Sequence, residues 1–430
     1  MRALVVGLGV AGESAARRLG EHGYEVVVVE DAPTDASRAR AQVLGVELLA
    51  DAGLAGIDVV VPSPPVPPHH RLVQAAVAAG VPVWSEFELA ARWSSLPMVA
   101  ITGTNGKTTV TTLVEDMLAR SGRRTVAAGN NDVPLVDALG PGLDVVVVEA
   151  SSFRLAFTET FRPAVALWLN LAPDHLDWHG TMDHYRASKA RVWAAQGPDD
   201  LAIGPTDDPV VAAELARAPG RRQTFGDGGD WRAEDGRLLT PDGEVIVAAD
   251  ELWRATPHDV TNALAASAAA VAAGATLDGV RTALRRFRGL PHRISLVGED
   301  DGVRYFDDSK ATDPHAALAA VRSFDSVVLL AGGRNKGLDL SVLAEVADRL
   351  RTVVAMGESA PEVTAAFGGT AVPVVQAASM DEAVALARAA ARPGDAVLLS
   401  PGCASFDRYR NYGERGDDFA RAVREVACPA

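Results

Sequence analysis

The chain has 430 residues, with 41 basic against 56 acidic side chains and a formal net charge of −15. That length exceeds one ordinary core and predicts two to four domains. The acidic balance excludes a general binder of nucleic acid or anionic membrane and leaves room only for local basic pockets.

In chain order, the opening MRALVVGLGVAGESAARRLG reads as strand (residues 4–6), glycine turn (7–12) and helix (13–21) rather than as a signal peptide, because glycines, Glu13 and Ser14 interrupt the apolar run. A strand at 26–29 ends in Glu30 and Asp31, another lies at 59–61, and a helix follows near 72–79. Strands alternating with helices predict a parallel sheet covered on both faces. Around 94–97 the pattern restarts with a strand at 98–102, followed by strands at 145–148 and 165–169. Asp235-Gly236 and Asp242-Gly243 then mark tight turns of a small antiparallel appendage. The alanine-rich stretch 263–275 predicts a buried helix too short to cross a bilayer. A loop at 288–293 leads to a third unit with a hairpin turned at Asp301-Gly302 and strands at 327–330, 353–356 and 396–399. The expected fold is therefore α/β in three domains: a Rossmann-like domain at 1–95, a central P-loop domain with a parallel sheet and antiparallel appendage at 96–293, and a Rossmann-like domain at 294–430.

Only four of the basic residues are lysine (Lys107, Lys189, Lys310 and Lys336), against 37 arginines. Lysine offers a compact ammonium whose neutral amine can react, which arginine does not, so these positions are candidates for chemistry. Two cysteines, Cys403 and Cys428, cannot make a disulfide framework and predict a reducing, cytoplasmic setting.

The strongest local signal is TGTNGKT at 102–108, between a strand and a helix. Its small residues let backbone amides approach phosphate, the helix N-terminus adds positive potential, Lys107 reaches the terminal phosphates and the Thr108 hydroxyl suits magnesium. It departs from the full Walker pattern at Ile101. GLGVAG at 7–12, with Glu30 and Asp31 beyond it, fits a dinucleotide site, with a packing turn or a nucleotide-sugar diphosphate site as the other readings. Glu149, at a strand end, places a carboxylate at a sheet rim, and Asp174 and His175 suit a divalent cation. DDSKAT at 307–312, GGRNK at 332–336 and SPGCASFD at 400–407 each follow a strand. They are expected to converge on one crevice for a small charged substrate.

With these motifs assembled, and with EASSF at 149–153, YRASK at 185–189, HDVTNALAA at 258–266 and GLPHR at 289–293, the chain resembles the Mur ligase family along essentially its whole length, and within it the branch that adds D-glutamate. The resemblance implies a first domain holding the UDP part of a UDP-muramoyl precursor, a central domain holding ATP and magnesium, and a third holding the incoming amino acid. It implies ATP contacts from Gly103, Thr104, Asn105, Gly106, Lys107, Thr108, Thr109, Asn262, Arg293 and Asp308. Two magnesium sites would draw on Thr108, Glu149, His175 and a carbamate (N6-carboxylysine) on Lys189. Gly9, Ser63, Asn130 and Ser151 would touch the muramoyl substrate, and Lys310, Thr312, Lys336, Ser405, Phe406 and Tyr412 the amino acid. The implied catalytic set is Lys107, Lys189, His175 and Glu149.

The partners implied are UDP-N-acetylmuramoyl-L-alanine and D-glutamate, acting on a monomer without nucleic acid or membrane insertion. L-Glutamate or another acceptor is the alternative within this chemistry, and an NAD-dependent oxidoreductase built on GLGVAG is the alternative outside it. The chain departs from the family pattern in several places. Gly129-Asn130-Asn131-Asp132 stands for the common Gly-Asn-Ile-Gly, Arg154 for Gln, Asp259 for Asn and Ser63-Pro-Pro65 for Ser-Pro-Gly. Glu30-Asp31-Ala32 stands where some relatives carry Asp-Thr-Arg, so a basic contact to the precursor is expected to be missing there.

Overall fold

The computed structural model describes residues 1–130 and 133–427; Asn131, Asp132 and Cys428 lie outside the described residues. The chain packs as two compact units. One comprises Met1–Leu171, Trp178–Ala255 and Asp259–Phe287, and the other Ala172–Asp177, Thr256–His258 and the chain from Arg288 onward.

The first unit contains two parallel sheets. Short Val-rich runs, apolar on both faces, form strands covered by helices on either side. Arg2–Val6 lies between Glu25–Val29 and Val59–Pro62, with Glu47–Leu49 extending the edge. The glycine turn is shorter than the sequence suggests, because the helix begins at Val10 and runs to Glu21. Gly12 therefore sits within its first turn, where a Cβ would come 2.0 Å from the Gly7 carbonyl oxygen. Glycine is required there so that helix and strand can close on each other.

The second sheet runs Arg221–Phe225, Leu201–Pro205, Val165–Trp168, Met98–Thr102, Val145–Glu149, Thr125–Gly129, all parallel. Three of these strands, Thr125–Gly129, Leu201–Pro205 and Arg221–Phe225, escape the sequence reading. Thr125–Gly129 reads TVAAG and Arg221–Phe225 reads RRQTF, so the first lacks bulk and the second is a polar edge strand. The alanine-rich helix extends over Pro257–Ala272, starting before Asn262 rather than after it. The antiparallel appendage is present as Arg232–Glu234, Arg237–Leu239 and Val245–Ala248. Its first turn places Asp235 and Gly236 at φ of 48° and 71°, the left-handed pair that a two-residue hairpin demands.

The other unit has one sheet, ordered Ser295–Asp300, Val303–Asp307, Ala396–Leu399, Val327–Gly332, Leu350–Met356, Val374–Ala377. Only the first pair is antiparallel, and it turns at Asp301-Gly302, both at positive φ. Among the described residues, no helix is long and apolar enough to cross a membrane.

Candidate active site

The loop of the TGTNGKT motif follows the strand Met98–Thr102 in the middle of its sheet and leads into the helix Lys107–Arg120. Gly103 and Gly106 have φ of +153° and +87°, conformations that favour glycine. The loop is pinned from the neighbouring strand. The Thr104 amide donates to the Asn170 carbonyl at 3.1 Å, the Asn105 amide to the Asn170 side-chain oxygen at 2.9 Å, and Asn170 Nδ2 to the Asn105 carbonyl at 3.2 Å. Two ammonium groups meet at one backbone oxygen: Lys107 Nζ donates to Gly103 O at 2.8 Å, and Lys189 Nζ donates to it at 2.7 Å. Lys107 also reaches Thr104 O at 2.8 Å.

Lys189 lies in the helix Met182–Ala194 and is 1% exposed. The Tyr185 ring sits 4.6 Å below its ammonium, and the Tyr185 hydroxyl lies 3.2 Å from Thr104 Oγ1. Asn262 comes against the same loop, since a Cβ on Gly106 would fall 2.7 Å from its Oδ1. Thr108 begins the helix and Thr109 is buried behind it.

Glu149 ends the adjacent strand, in register with Ile101 and Gly129. Its carboxylate is 3% exposed and accepts from Asn130 Nδ2 at 3.1 Å. Among the described residues it forms no ion pair. Buried charges are normally paired or coordinate a metal, so this carboxylate fits a hard cation such as magnesium. Among the described residues, however, no three His, Cys, Asp or Glu side chains gather as a ready metal cage.

Two departures from the family pattern turn out to be buried charges with partners. Arg154 Nε pairs with Glu86 Oε1 at 2.8 Å, and both side chains are buried. Burial raises the Glu86 pKa, and the guanidinium opposes that rise without cancelling it. Asp259, also buried, pairs with Arg254 at 2.8 Å and accepts from Trp253 Nε1 at 3.1 Å. The first-domain turn is different in kind. Ser63 Oγ donates to Gly7 O at 2.7 Å, Glu30 Oε2 accepts the Leu8 amide at 2.8 Å, and Arg40 caps Leu8 O at 2.9 Å. Gly9 is the residue before the helix. Glu30 thus serves the turn itself, which weakens its reading as a ribose ligand. Ser151 is buried beside Arg154, at 3.3 Å.

In the other unit the three strand-end motifs do converge. Asp308 Oδ2 accepts from Ser400 Oγ at 2.7 Å, the Gly402 amide donates to Ala311 O at 3.0 Å, and Arg334 and Ala404 exchange backbone bonds of 2.8 and 3.0 Å. The Lys310 ammonium lies 4.9 Å over the Tyr412 ring. Lys336 Nζ pairs with Asp174 Oδ1 at 2.6 Å, and His175 Nε2 lies 3.1 Å from Asp174 Oδ2. Burial pushes the Asp174 pKa up, but the charges of Lys336 and His175 outweigh it and hold the carboxyl below its ordinary value. His175 itself is at φ +53°. Ser405 is buried, Phe406 is 62% exposed, and Thr312 and Arg293 are half-buried.

Sequence reading missed what stands behind these groups. Buried Arg415 donates to Ser309 Oγ at 2.9 Å, Ser309 O at 2.7 Å and Cys403 O at 3.1 Å, and burial lowers its pKa to about 10. Nothing in its sequence context separates it from other helix arginines. The Cys403 thiol is buried, 3.3 Å from Ser359 Oγ, and burial pushes its pKa up, which argues against reactivity.

Comparison with known proteins agrees with this geometry. A family model described as the Mur ligase middle domain matches residues 101–270, and one described as the Mur ligase glutamate ligase domain matches residues 292–403. The chain is 46% identical to UDP-N-acetylmuramoylalanine--D-glutamate ligase of Frankia casuarinae, over 98% of this chain and 93% of that protein. It is 42% identical to the protein of the same name from Thermobifida fusca, over 99% and 98% respectively. Among solved structures, MurF of Acinetobacter baumannii superposes with a TM-score of 0.65 at 20% identity, covering 97% of this chain and 90% of that one. MurF of Thermotoga maritima, solved with ADP, gives a TM-score of 0.64 at 17% identity, covering 99% and 95%. These structures share the fold.

Proposed function

The chain belongs to the Mur ligase family, and from that membership we propose that it is the ATP-dependent ligase that adds D-glutamate to the alanine carboxylate of UDP-N-acetylmuramoyl-L-alanine, releasing ADP and phosphate during peptidoglycan precursor synthesis. The observation that carries this reading is the near full-length similarity to ligases of that name, at 46% identity in one case. Residues 1–95 bind the UDP part of the precursor, residues 96–293 bind ATP, and residues 294–430 bind the amino acid. The enzyme works as a cytoplasmic monomer.

A carboxylate does not react with an amine at neutral pH, so it must first gain a leaving group. The alanine carboxylate attacks the γ-phosphorus of ATP, ADP departs, and an acyl phosphate forms. The amine of D-glutamate then adds to the acyl carbon, and phosphate leaves from the tetrahedral intermediate. Negative charge on phosphoryl oxygens must be stabilised in both steps, and positioned cations in a water-poor site do this most effectively. Lys107, which rests on Gly103 O and Thr104 O in this structure, turns to the terminal phosphates. Asn262 and the amides of 103–109 hold the nucleotide, with Arg293 and Asp308 as further contacts.

By family membership, Thr108, Glu149, His175 and a carbamate on Lys189 would hold magnesium, which would supply charge neutralisation at the phosphoryl oxygens. Only a lysine amine can add to carbon dioxide to make that carbamate, because arginine stays protonated. Asn130 and Ser151 orient the muramoyl end, with Gly9 and Ser63 at the uridine end. Lys310, Thr312, Lys336, Ser405, Phe406 and Tyr412 bind the incoming amino acid.

The deciding experiment measures phosphate release from ATP with UDP-N-acetylmuramoyl-L-alanine and a panel of D- and L-amino acids. Turnover with D-glutamate alone is expected. Turnover with L-glutamate and none with D-glutamate would refute the specificity while leaving the ligase chemistry standing.

A further inference from the structure

One buried cation has no part in the chemistry above. Arg154 lies in the short helix Ser152–Leu155. Its Nε donates to Glu86 Oε1 at 2.8 Å, while its Nη1 donates to Asn130 Oδ1 at 3.2 Å and to Ser151 Oγ at 3.3 Å. Glu86 is held in turn by the Val136 amide at 3.2 Å. Asn130 passes the chain of contacts on, since its Nδ2 donates to Glu149 Oε1 at 3.1 Å. The backbone of Asn130 is tied to the same residue, its amide donating to Glu149 O at 2.9 Å.

The chemistry of the end groups fixes the direction of this relay. A guanidinium can only donate and an ionised carboxylate can only accept. Asn130 stands between them, so its oxygen must face Arg154 and its NH2 must face Glu149. Asn130 is exposed, and among the described residues the hydrogen bonds of its side chain run to Arg154 and Glu149. Were the amide reversed, its oxygen would face the Glu149 carboxylate and repel it. Glu86 balances the charge of Arg154 in a place where a lone guanidinium would be costly to bury.

We propose that Arg154 is a positioning residue: it locks the Asn130 amide so that the Glu149 carboxylate and the muramoyl contact at Asn130 keep one arrangement. This inference rests on the reading of Glu149 and Asn130 given under the proposed function. Residues one step behind a metal ligand commonly change metal affinity or activity by about 10–100-fold when removed.

The test uses the full chain with ADP, and reads Mn2+ binding by electron paramagnetic resonance and precursor binding by calorimetry. Asn130→Ala removes the middle of the relay at an exposed position and leaves the Arg154–Glu86 pair intact. Mn2+ affinity is expected to fall by about 10–100-fold. In Arg154→Met/Glu86→Gln the charges are removed together, and Gln still accepts the Val136 amide. That variant should lose Mn2+ and precursor affinity to a similar extent, Arg154→Lys with Glu86 intact should recover part of it, and adding Asn130→Ala should cost little more.

Unchanged Mn2+ affinity in Asn130→Ala would overturn the proposal, and this variant decides the matter if the double variant fails to fold. Loss of precursor affinity with normal Mn2+ binding would also overturn it, making Arg154 a direct substrate contact. Failure of the underlying reading looks different, because the parent enzyme would then release no phosphate with D-glutamate.

Discussion

Two glycine turns in this molecule share a design and differ in what surrounds them. Each follows the strand that starts a sheet's chain order and opens onto a helix, Val10–Glu21 in one case and Lys107–Arg120 in the other, and each contains a glycine at φ +87°. Around the first turn, the side chains close the backbone on itself: Ser63 takes Gly7 O, Glu30 takes the Leu8 amide and Arg40 takes Leu8 O. Around the second, Lys107 and Lys189 converge on Gly103 O, while amide side chains from Asn170 and Asn262 brace the loop. The same backbone is therefore a joint closed by its own side chains at the first turn, which still leaves Gly9 and Ser63 for the precursor under the proposed function, and a cradle lined by two ammonium groups at the second. A strand, a glycine turn and a helix N-terminus are not enough to specify chemistry.

The comparison is tested most severely at the lysines. Lys107→Met should lower the rate of phosphate release by at least about 10²–10³-fold, the scale of losing one positioned charge donor, with the thermal midpoint nearly unchanged because Lys189 still satisfies Gly103 O. Lys189→Ala should be nearly as severe, but a short carboxylic acid added to the assay should restore part of the rate by standing in for the carbamate. Full activity in Lys189→Ala without additive would remove the carbamate from the mechanism.

Glycine substitutions sharpen the contrast. A Cβ on Gly106 meets Asn262 Oδ1 at 2.7 Å and sits at φ +87°, whereas a Cβ on Gly12 meets backbone at 2.0 Å and Ser63 Oγ at 2.3 Å. Gly106→Ala should therefore act mainly on nucleotide affinity. Gly12→Ala should act on folding, by about 1–3 kcal/mol as overpacking does, seen as a lowered thermal midpoint. If Gly12→Ala left the midpoint unchanged and abolished ATP binding, the division between joint and cradle would be wrong.

The sequence carried much of this, and unevenly. The four lysines stood out because arginine had replaced lysine elsewhere, and the strand-end motifs announced themselves by their letters. The convergence of DDSKAT, GGRNK and SPGCASFD also followed from their position after strands, since neighbouring parallel strands deliver their carboxyl ends to one rim. What stayed hidden were the pairings. Arg154 and Asp259 read only as departures from a pattern, because their partners are fixed by tertiary contact: Glu86 is 68 residues from Arg154. Arg254, by contrast, is near Asp259 in sequence, but nothing marked that pair as buried. Polar edge strands such as Arg221–Phe225 were missed because pairing to Leu201–Pro205, not periodicity, makes them strands.

Glu30 gives the smallest effect and separates the two turns most directly. Its carboxylate accepts one backbone amide, that of Leu8. Glu30→Gln keeps an acceptor oxygen in place, so it removes charge without removing the bond, and the expected loss of stability is about 1 kcal/mol or less. If the turn were a dinucleotide site reading ribose hydroxyls through Glu30, the parent chain would bind NAD and this substitution would weaken that binding. The geometry predicts no NAD binding to either protein by calorimetry. It also predicts equal rates of phosphate release from ATP, because the charge removed lies in the joint and not in the cradle.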